Sequence, residues 1–500
     1  MKKLAALLLS LMISATPIMA AEGEMGSFGG ISTGVKMDTL TALKQESKKS
    51  NSSKVTLPYK ENVYLSGAPE TAEGTIEFKP GIEIDKEAGT GSYTESYKMT
   101  AQNASGSTKV IRNITFETKY IYEEDRKQAT KTTTVKKWSE VITSGGVTYK
   151  LDQTKSNFTK SVLEDYTPGV LYYRGDVNYT AVYDQAGGDD QVTVTVVAPI
   201  YGYDQAYAKS ETQRRTITVN KNNGEGYAIT ETPTMTVYRD IEYGSNEPTA
   251  ISMAGNYKEI VKSEGVLSYD VLQGNSKLEK DEAAGMVSVA GPTSVDQLSI
   301  PSQLNLHGHP ATTQIRKMYS MKIFDMDPAK FSTNEAVRKR DYIKMLVKAL
   351  QIEIPDTTAK KSSKETPKSE VTGVSINDPI YPYMLAALRS GLISKDSVAK
   401  NSYLTREEMY VFNVRAIGLE RLGLVTLDKY TTFCDDNKIS SWAKSSVYAA
   451  YKIGLINTAT DYVYPQKEVT MAECATFLDQ LMSYLRYDLQ KDYTDKMLMA

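Results

Sequence analysis

The feature that most limits how this chain can fold is a helical pattern that occurs three times after residue 300. Ile315, Met384 and Val447 each begin the same run, with apolar residues at the third, fourth, eighth and ninth following positions. These are Met318, Tyr319, Ile323 and Phe324 in the first copy, and Ala387, Leu388, Leu392 and Ile393 in the second. In the third they are Ala450, Tyr451, Leu455 and Ile456. The spacing puts one apolar stripe on one face of a helix. Lys322, Gly391 and Gly454 align just beyond it, and the two glycines fit a helix C-terminus. A second helix follows each time. Asp341, Glu408 and Glu473 coincide near its start, and Met345, Phe412 and Phe477, then Leu350, Ile417 and Met482, recur behind them. Two helices in register across three copies need the same buried faces three times.

The second helices begin with a signal of their own. In "LTREEM", residues 404–409, Thr405 precedes Glu408 by three positions and an apolar run follows, which predicts a capping box. Thr470 and Glu473 repeat that spacing in the third copy. Arg406 is unexpected in a first helical turn, where the macrodipole disfavours a cation by roughly a few tenths of a kcal/mol. An anionic partner gives it a reason to be there. By alignment Lys339 stands at the same place in the first copy and Met471 in the third.

The segments "FCDD…SSWAKSSVYAAYKIGLINTATDYVYPQKEVTMAEC", "LTREEM" and "LNLHGHPATTQIRKMYSMKIF" with "KFSTNEAVRKRDYIKML" resemble S-layer homology (SLH) repeats. The resemblance covers residues 300–487 and leaves the preceding region untouched. It implies an all-α, pseudo-threefold helical bundle that binds an anionic secondary cell-wall polysaccharide, often pyruvylated. It also implies that Arg406, in the place of the Arg of the family's Thr-Arg-Ala-Glu motif, engages the sugar. A guanidinium beside free helix-terminal amides suits a carboxylate. Lys339 keeps the charge without the planar fork, and Met471 leaves its copy without a cation. One good pocket, one weaker and one dead or repurposed are expected, unless all three copies only build the bundle. Trp442 aligns with the family's aromatic before the first helix, where it is either a core or lid aromatic or a sugar platform. Asp378 and Asp435 match the family's "Phe-x-Asp" entry and read as caps or turns more readily than as ligands.

From about residue 55 to 298 the period changes to two. In "NITFETKYIY", Ile114, Phe116, Thr118, Tyr120 and Tyr122 share a face, and "QVTVTVVAPI", "RRTITVN" and "TMTVYRD" repeat the alternation. Turn signals such as "SGG", "AGGDD" and "NNGEG" separate the runs. This predicts an antiparallel all-β, sandwich-like region of one or two domains. The expected division is a signal peptide over 1–20, a flexible leader over 21–54, and β-rich domains over 55–165 and 166–298. Repeats over 299–354, 374–424 and 425–487 follow, with a linker at 355–373 and a tail at 488–500. The basic, apolar and small-residue succession of the first twenty residues carries the first of these.

A net charge of −2 over 500 residues gives no electrostatic case for nucleic acid or for an anionic membrane. After signal removal no membrane span is expected, and no barrel segment is read. Cys434 and Cys474 suit either free thiols, with Cys474 on an apolar helical position, or one disulfide. His307 and His309 are too few ligands for a metal site, and no cofactor is expected. Arg174-Gly175-Asp176 reads as a hairpin turn rather than a receptor signal, and "GGDD" at 187–190 as a polar turn rather than a calcium loop. Thirty-four tyrosines against nine phenylalanines suggest half-exposed sheet faces.

No nucleophile-elbow, zincin, P-loop or dinucleotide fingerprint appears. The expected protein is therefore a secreted, non-enzymatic cell-surface or S-layer-associated structural protein, anchored without covalent bonds to the wall polysaccharide. Contacts to other surface-layer protomers fit that role. The alternative is an SLH-anchored carbohydrate-active protein whose β-rich region binds or hydrolyses glycan.

Overall fold

The computed structural model describes residues 29–33, 54–78, 84–243, 257–301, 303–304, 306, 308–355, 368–423, 430–457 and 459–493. The expected signal peptide and His307 lie outside these residues, as does most of the expected linker.

Among the described residues, sixteen strands form a single antiparallel sheet. They are β1 (Gly30–Ser32), β2 (Val55–Val63), β3 (Glu70–Phe78), β4 (Thr90–Gln102), β5 (Lys109–Glu123) and β6 (Gln128–Ser144). Next come β7 (Val147–Leu151), β8 (Asn157–Tyr166), β9 (Val170–Gln185), β10 (Gln191–Gln205) and β11 (Ala208–Gln213). The last are β12 (Arg215–Lys221), β13 (Gly226–Tyr243), β14 (Tyr257–Gln273), β15 (Ala284–Ala290) and β16 (Ser294–Leu298). The order is nearly that of the chain. β7 and β8 share the place between β6 and β9, and β11 and β12 share that between β10 and β13. Two-residue turns such as Gly145-Gly146, both with positive φ (55° and 82°), match the twist of the strands they join.

The sheet curls until its first strands meet its last. Tyr64 donates to Glu231 Oε1 at 2.8 Å, and the Asn275 amide donates to Gly67 O at 3.0 Å. One apolar core runs along the inner face from Val55 to Val271. That face also holds paired charges: Arg112 sits between Glu61 (2.9 Å) and Glu140 (2.6 Å), and Arg215 pairs with Glu231 at 3.3 Å. Buried ions are tolerated because each is paired. The outward positions carry Thr130, Thr132 and Thr134 on β6, and Asn113 and Lys119 on β5. This alternation is the reverse of a membrane-spanning barrel's, whose apolar band faces outward.

Three sequence expectations are corrected. The region is one curled sheet rather than a pair of packed sheets. The boundary at 165/166 falls in the β8–β9 hairpin, paired from Asn157↔Thr180 to Tyr166↔Leu171, so the sheet is continuous across it. The leader contains β1, whose Ile31 is fully buried against Leu267 and Val289.

The helical part contains α1 (Thr312–Ser320), α2 (Lys339–Ala349), α3 (Tyr381–Ser390), α4 (Arg406–Ala416), α5 (Lys444–Lys452), α6 (Met471–Ser483) and α7 (Leu489–Asp492). The first six form three pairs, one per repeat. The segments entering α2, α4 and α6 close a ring. Val337 N donates to Val469 O (2.8 Å), Val469 N to Leu404 O (2.9 Å), and Leu404 N to Val337 O (2.8 Å). Three equivalent residues thus satisfy one another in a cycle, and all three are buried. Lys322, Gly391 and Gly454, aligned in the sequence, all adopt positive φ (57°, 84° and 76°) after the first helix of each pair.

The bundle stands on one end of the sheet, and the two share a core. Tyr207 donates to Ala349 O at 2.6 Å and Tyr172 to Ile417 O at 2.8 Å. Each tyrosine satisfies a carbonyl that a helix C-terminus leaves free. The third copy does not stop at the matching point. A π turn (Tyr484–Asp488) and α7 carry it onto the sheet, where Arg486 forks onto Asp240 (2.8 and 3.0 Å) and Tyr493 donates to Tyr173 O (2.9 Å). The expected tail is thus docked as far as Tyr493. No helix among the described residues is long and apolar enough to cross a membrane.

Candidate functional site

The second helices point their C-termini at the sheet, so their N-termini lie one helix length away, about 16 Å for eleven residues. There the three repeats meet in three seams. At each seam the first helical residue of one copy faces the third helical residue of the next. Lys339 Nζ lies 2.5 Å from Glu408 Oε1, and Arg406 Nη2 lies 2.7 Å from Glu473 Oε1. Met471 and Asp341 meet at the third seam, in a cleft of about 550 Å³.

Local structure fixes both acids. Glu408 accepts from the Thr405 amide at 3.1 Å, and Glu473 accepts from the Thr470 amide at 3.1 Å. The Thr470 hydroxyl closes the second half of its box by accepting from Glu473 N at 3.3 Å. Each acid therefore caps its own helix while pairing with the cation of the preceding repeat. Burial pushes the Glu473 carboxyl up, but hydrogen bonds from Lys467 and Arg406 outweigh it and hold it below the usual range. Asp341 is pushed up by burial, relieved only through space by Lys344 and Arg338, and has no ion-pair partner among the described residues.

Arg406 is more engaged than the sequence implied. Besides Glu473 it donates to Val463 O at 3.0 Å, and its guanidinium lies 5.7 Å from the Tyr464 ring. Tyr464 is a non-glycine at φ 53° before Pro465, and its amide is held by Asp435 at 2.8 Å. Its ring stacks on Tyr462 at 5.5 Å, and both are exposed (51% and 43%). Lys467 also reaches Glu473, at 2.8 Å. Tyr462, Tyr464 and Lys467 were not singled out in the sequence. Aromatics beside a basic residue in "DYVYPQK" were the available signal.

Trp442 is 57% exposed, so the core alternative does not hold. Two residues before it, the Ser440 amide and hydroxyl donate to Glu407 at 2.9 and 2.7 Å, which ties its loop to the start of α4. Asp378 accepts from Ile380 N at 3.0 Å, a local turn contact, whereas Asp435 is corrected: its side chain caps no turn of its own but accepts from Val463 N and Tyr464 N and ties its loop to the segment that leads into α6. His309 Nδ1 accepts from Ala311 N at 3.1 Å. The cysteines are unbridged, Cys434 exposed and Cys474 buried.

No family model matches the chain. An amylopullulanase of Thermoanaerobacterium thermosulfurigenes is 28% identical over 166 residues, 31% of this chain and 8% of that protein. The exoglucanase XynX of Acetivibrio thermocellus is 23% identical over 346 residues, 66% of this chain and 29% of that protein. The chain thus spans less than a third of either relative. The outer-membrane expressed OmpT of Vibrio cholerae aligns over 48% of this chain and 87% of its own, at 11% identity and a TM-score of 0.19. Both sequence relatives carry the names of enzymes, which corrects the expectation of a chain without enzymatic activity.

Proposed function

We propose that this is a secreted, carbohydrate-active protein of the cell surface, held to an acidic wall glycan by the outer end of its helical bundle. The seam between the second and third repeats carries this reading. Arg406 and Lys467 both converge on Glu473, which places two cations on one acid beside the stacked, exposed rings of Tyr462 and Tyr464, while Asp435 is turned to the Val463 and Tyr464 amides. A sugar ring packs on the tyrosine face while its carboxylate meets the surplus cation. Trp442 offers further aromatic surface. Lys339, neutralised by Glu408 alone, makes a weaker subsite, and Met471 makes none for an anion. The SLH resemblance supplies the polymer: a secondary cell-wall polysaccharide, including pyruvylated forms. The relatives' names extend the reading to the sheet, which acts on or binds carbohydrate while the bundle's far end holds the wall.

The test is co-sedimentation of the full chain with cell-wall sacculi before and after removal of the secondary polymer. Binding is expected only with the polymer present, weakened more by Lys467→Ala with Arg406→Ala than by Lys339→Ala. Equal sedimentation with stripped sacculi removes the glycan reading. The same incubations, assayed for new reducing ends, report whether the sheet cleaves what the bundle holds.

A further inference from the structure

Arg174-Gly175-Asp176 lies in the middle of β9, so the expected hairpin turn is corrected. Strand alternation turns Arg174 and Asp176 outward and Gly175 inward. A Cβ on Gly175 would meet Ser161 O at 1.9 Å, so glycine is required there by close approach of β8. The tripeptide is therefore extended within a sheet, not presented at a loop tip.

Its outward arginine has a different setting. Arg174 stands directly across from Tyr201 on β10 and from Leu163 on β8. Arg214, just beyond β11, donates its amide to Pro199 O at 3.0 Å and lays its guanidinium 5.7 Å from the Tyr201 ring centre. One guanidinium, that of Arg214, therefore lies against the tyrosine ring, and a second arginine stands on the neighbouring strand across from it. Both arginines and Tyr201 line a groove of about 480 Å³ on the outer face, which Thr130, Ser161 and Asp176 also line. Neither arginine has an ion-pair partner among the described residues. Asp176 lines the same groove, and Arg174 also acts through space on Asp165, so the two arginines sit among acids without a direct ion pair to either.

We infer that this groove binds an acidic glycan. A sugar ring packs on Tyr201, its carboxylate takes the two guanidinium forks, and its hydroxyls meet Ser161, Thr130 and Asp176. The groove lies on the sheet and does not depend on the seam site of the bundle.

The test is calorimetric titration of the full chain with trigalacturonic acid, with neutral maltotriose as control. The acidic sugar is expected to bind, and Arg174→Ala or Arg214→Ala to weaken it at least tenfold. Arg174→Lys should fall between, because a point charge replaces a fork. Both alanine variants should sediment with sacculi as the parent does, which separates this site from the bundle's. Three outcomes overturn the inference: no binding, equal titration by both sugars, or loss of binding on Arg406→Ala with none on the two sheet variants.

Discussion

Lys339 of the first repeat neutralises Glu408 of the second, and Arg406 of the second neutralises Glu473 of the third. The pairs are related by the same turn that relates Val337, Leu404 and Val469 in the backbone ring. The cycle of backbone bonds closes, but the cycle of charges does not. Met471 meets Asp341 without a charge, and a solvent-accessible cleft opens where the third pair would lie.

Met471→Lys should complete the charge cycle. A lysine at the start of α6 reaches the carboxylate that its equivalents reach in the other seams. The gain is about 0.5–1 kcal/mol for a partly exposed pair. It depends on pH. Burial raises the Asp341 carboxyl in the folded state, so folding favours its protonated form and stability falls as pH rises through the raised value. Denaturant titrations from pH 4 to 8 should show this decline in the parent and its loss in Met471→Lys. An unchanged profile would mean that the lysine points to solvent.

Arg406→Ala should cost about 1–3 kcal/mol, since it leaves Glu473 with Lys467 alone and Val463 O without its donor. Glu473 is held below its usual value in the fold, so its contribution is present at neutral pH and lost as pH falls through that lowered value. The parent should lose stability below pH 4 more steeply than Arg406→Ala. Parallel acid limbs would show that the pair is silent.

The bundle was legible in the sequence because a helix repeats its buried face at fixed spacing. Ile315, Met384 and Val447 are all fully buried where the pattern places them. Even Lys322, which breaks the glycine pattern, keeps the glycine conformation. The seam pairs were not legible, because Arg406 meets an acid one whole repeat away. The curl of the sheet was hidden too. Alternation says which residues face inward, not that Tyr64 will meet Glu231. The tripeptide at 174–176 was misread because glycine usually marks a turn, and here it marks strands in close approach.

Lys322→Gly should stabilise the bundle. A side chain at φ 57° costs about 1–2 kcal/mol, while glycine's extra freedom in the unfolded chain returns about 0.5–1 kcal/mol of that. The expected net gain is about 0.5 kcal/mol, read as a higher urea midpoint at unchanged slope. Lys322→Ala should give none of it, because alanine carries the same Cβ. A gain from alanine would place the effect in the lysine's charge.

The joint between sheet and bundle rests on tyrosine hydroxyls, and this can be tested without disturbing packing. Tyr207→Phe and Tyr172→Phe keep both rings and leave the carbonyls of Ala349 and Ile417 without donors. Each should cost about 1–2 kcal/mol. The shared core makes sheet and bundle melt together in the parent. In the double variant the Arg486–Asp240 fork remains together with the bonds of Gly169 to Ala416 O, Gln205 to Leu485 O, Tyr257 to Thr313 O and Tyr493 to Tyr173 O, and the scanning calorimetry trace should split into two transitions. Adding Arg486→Ala should widen the separation. One transition that merely moves to lower temperature would show that the apolar contacts of Tyr172, Tyr203 and Tyr207 hold the two parts together without the hydroxyls.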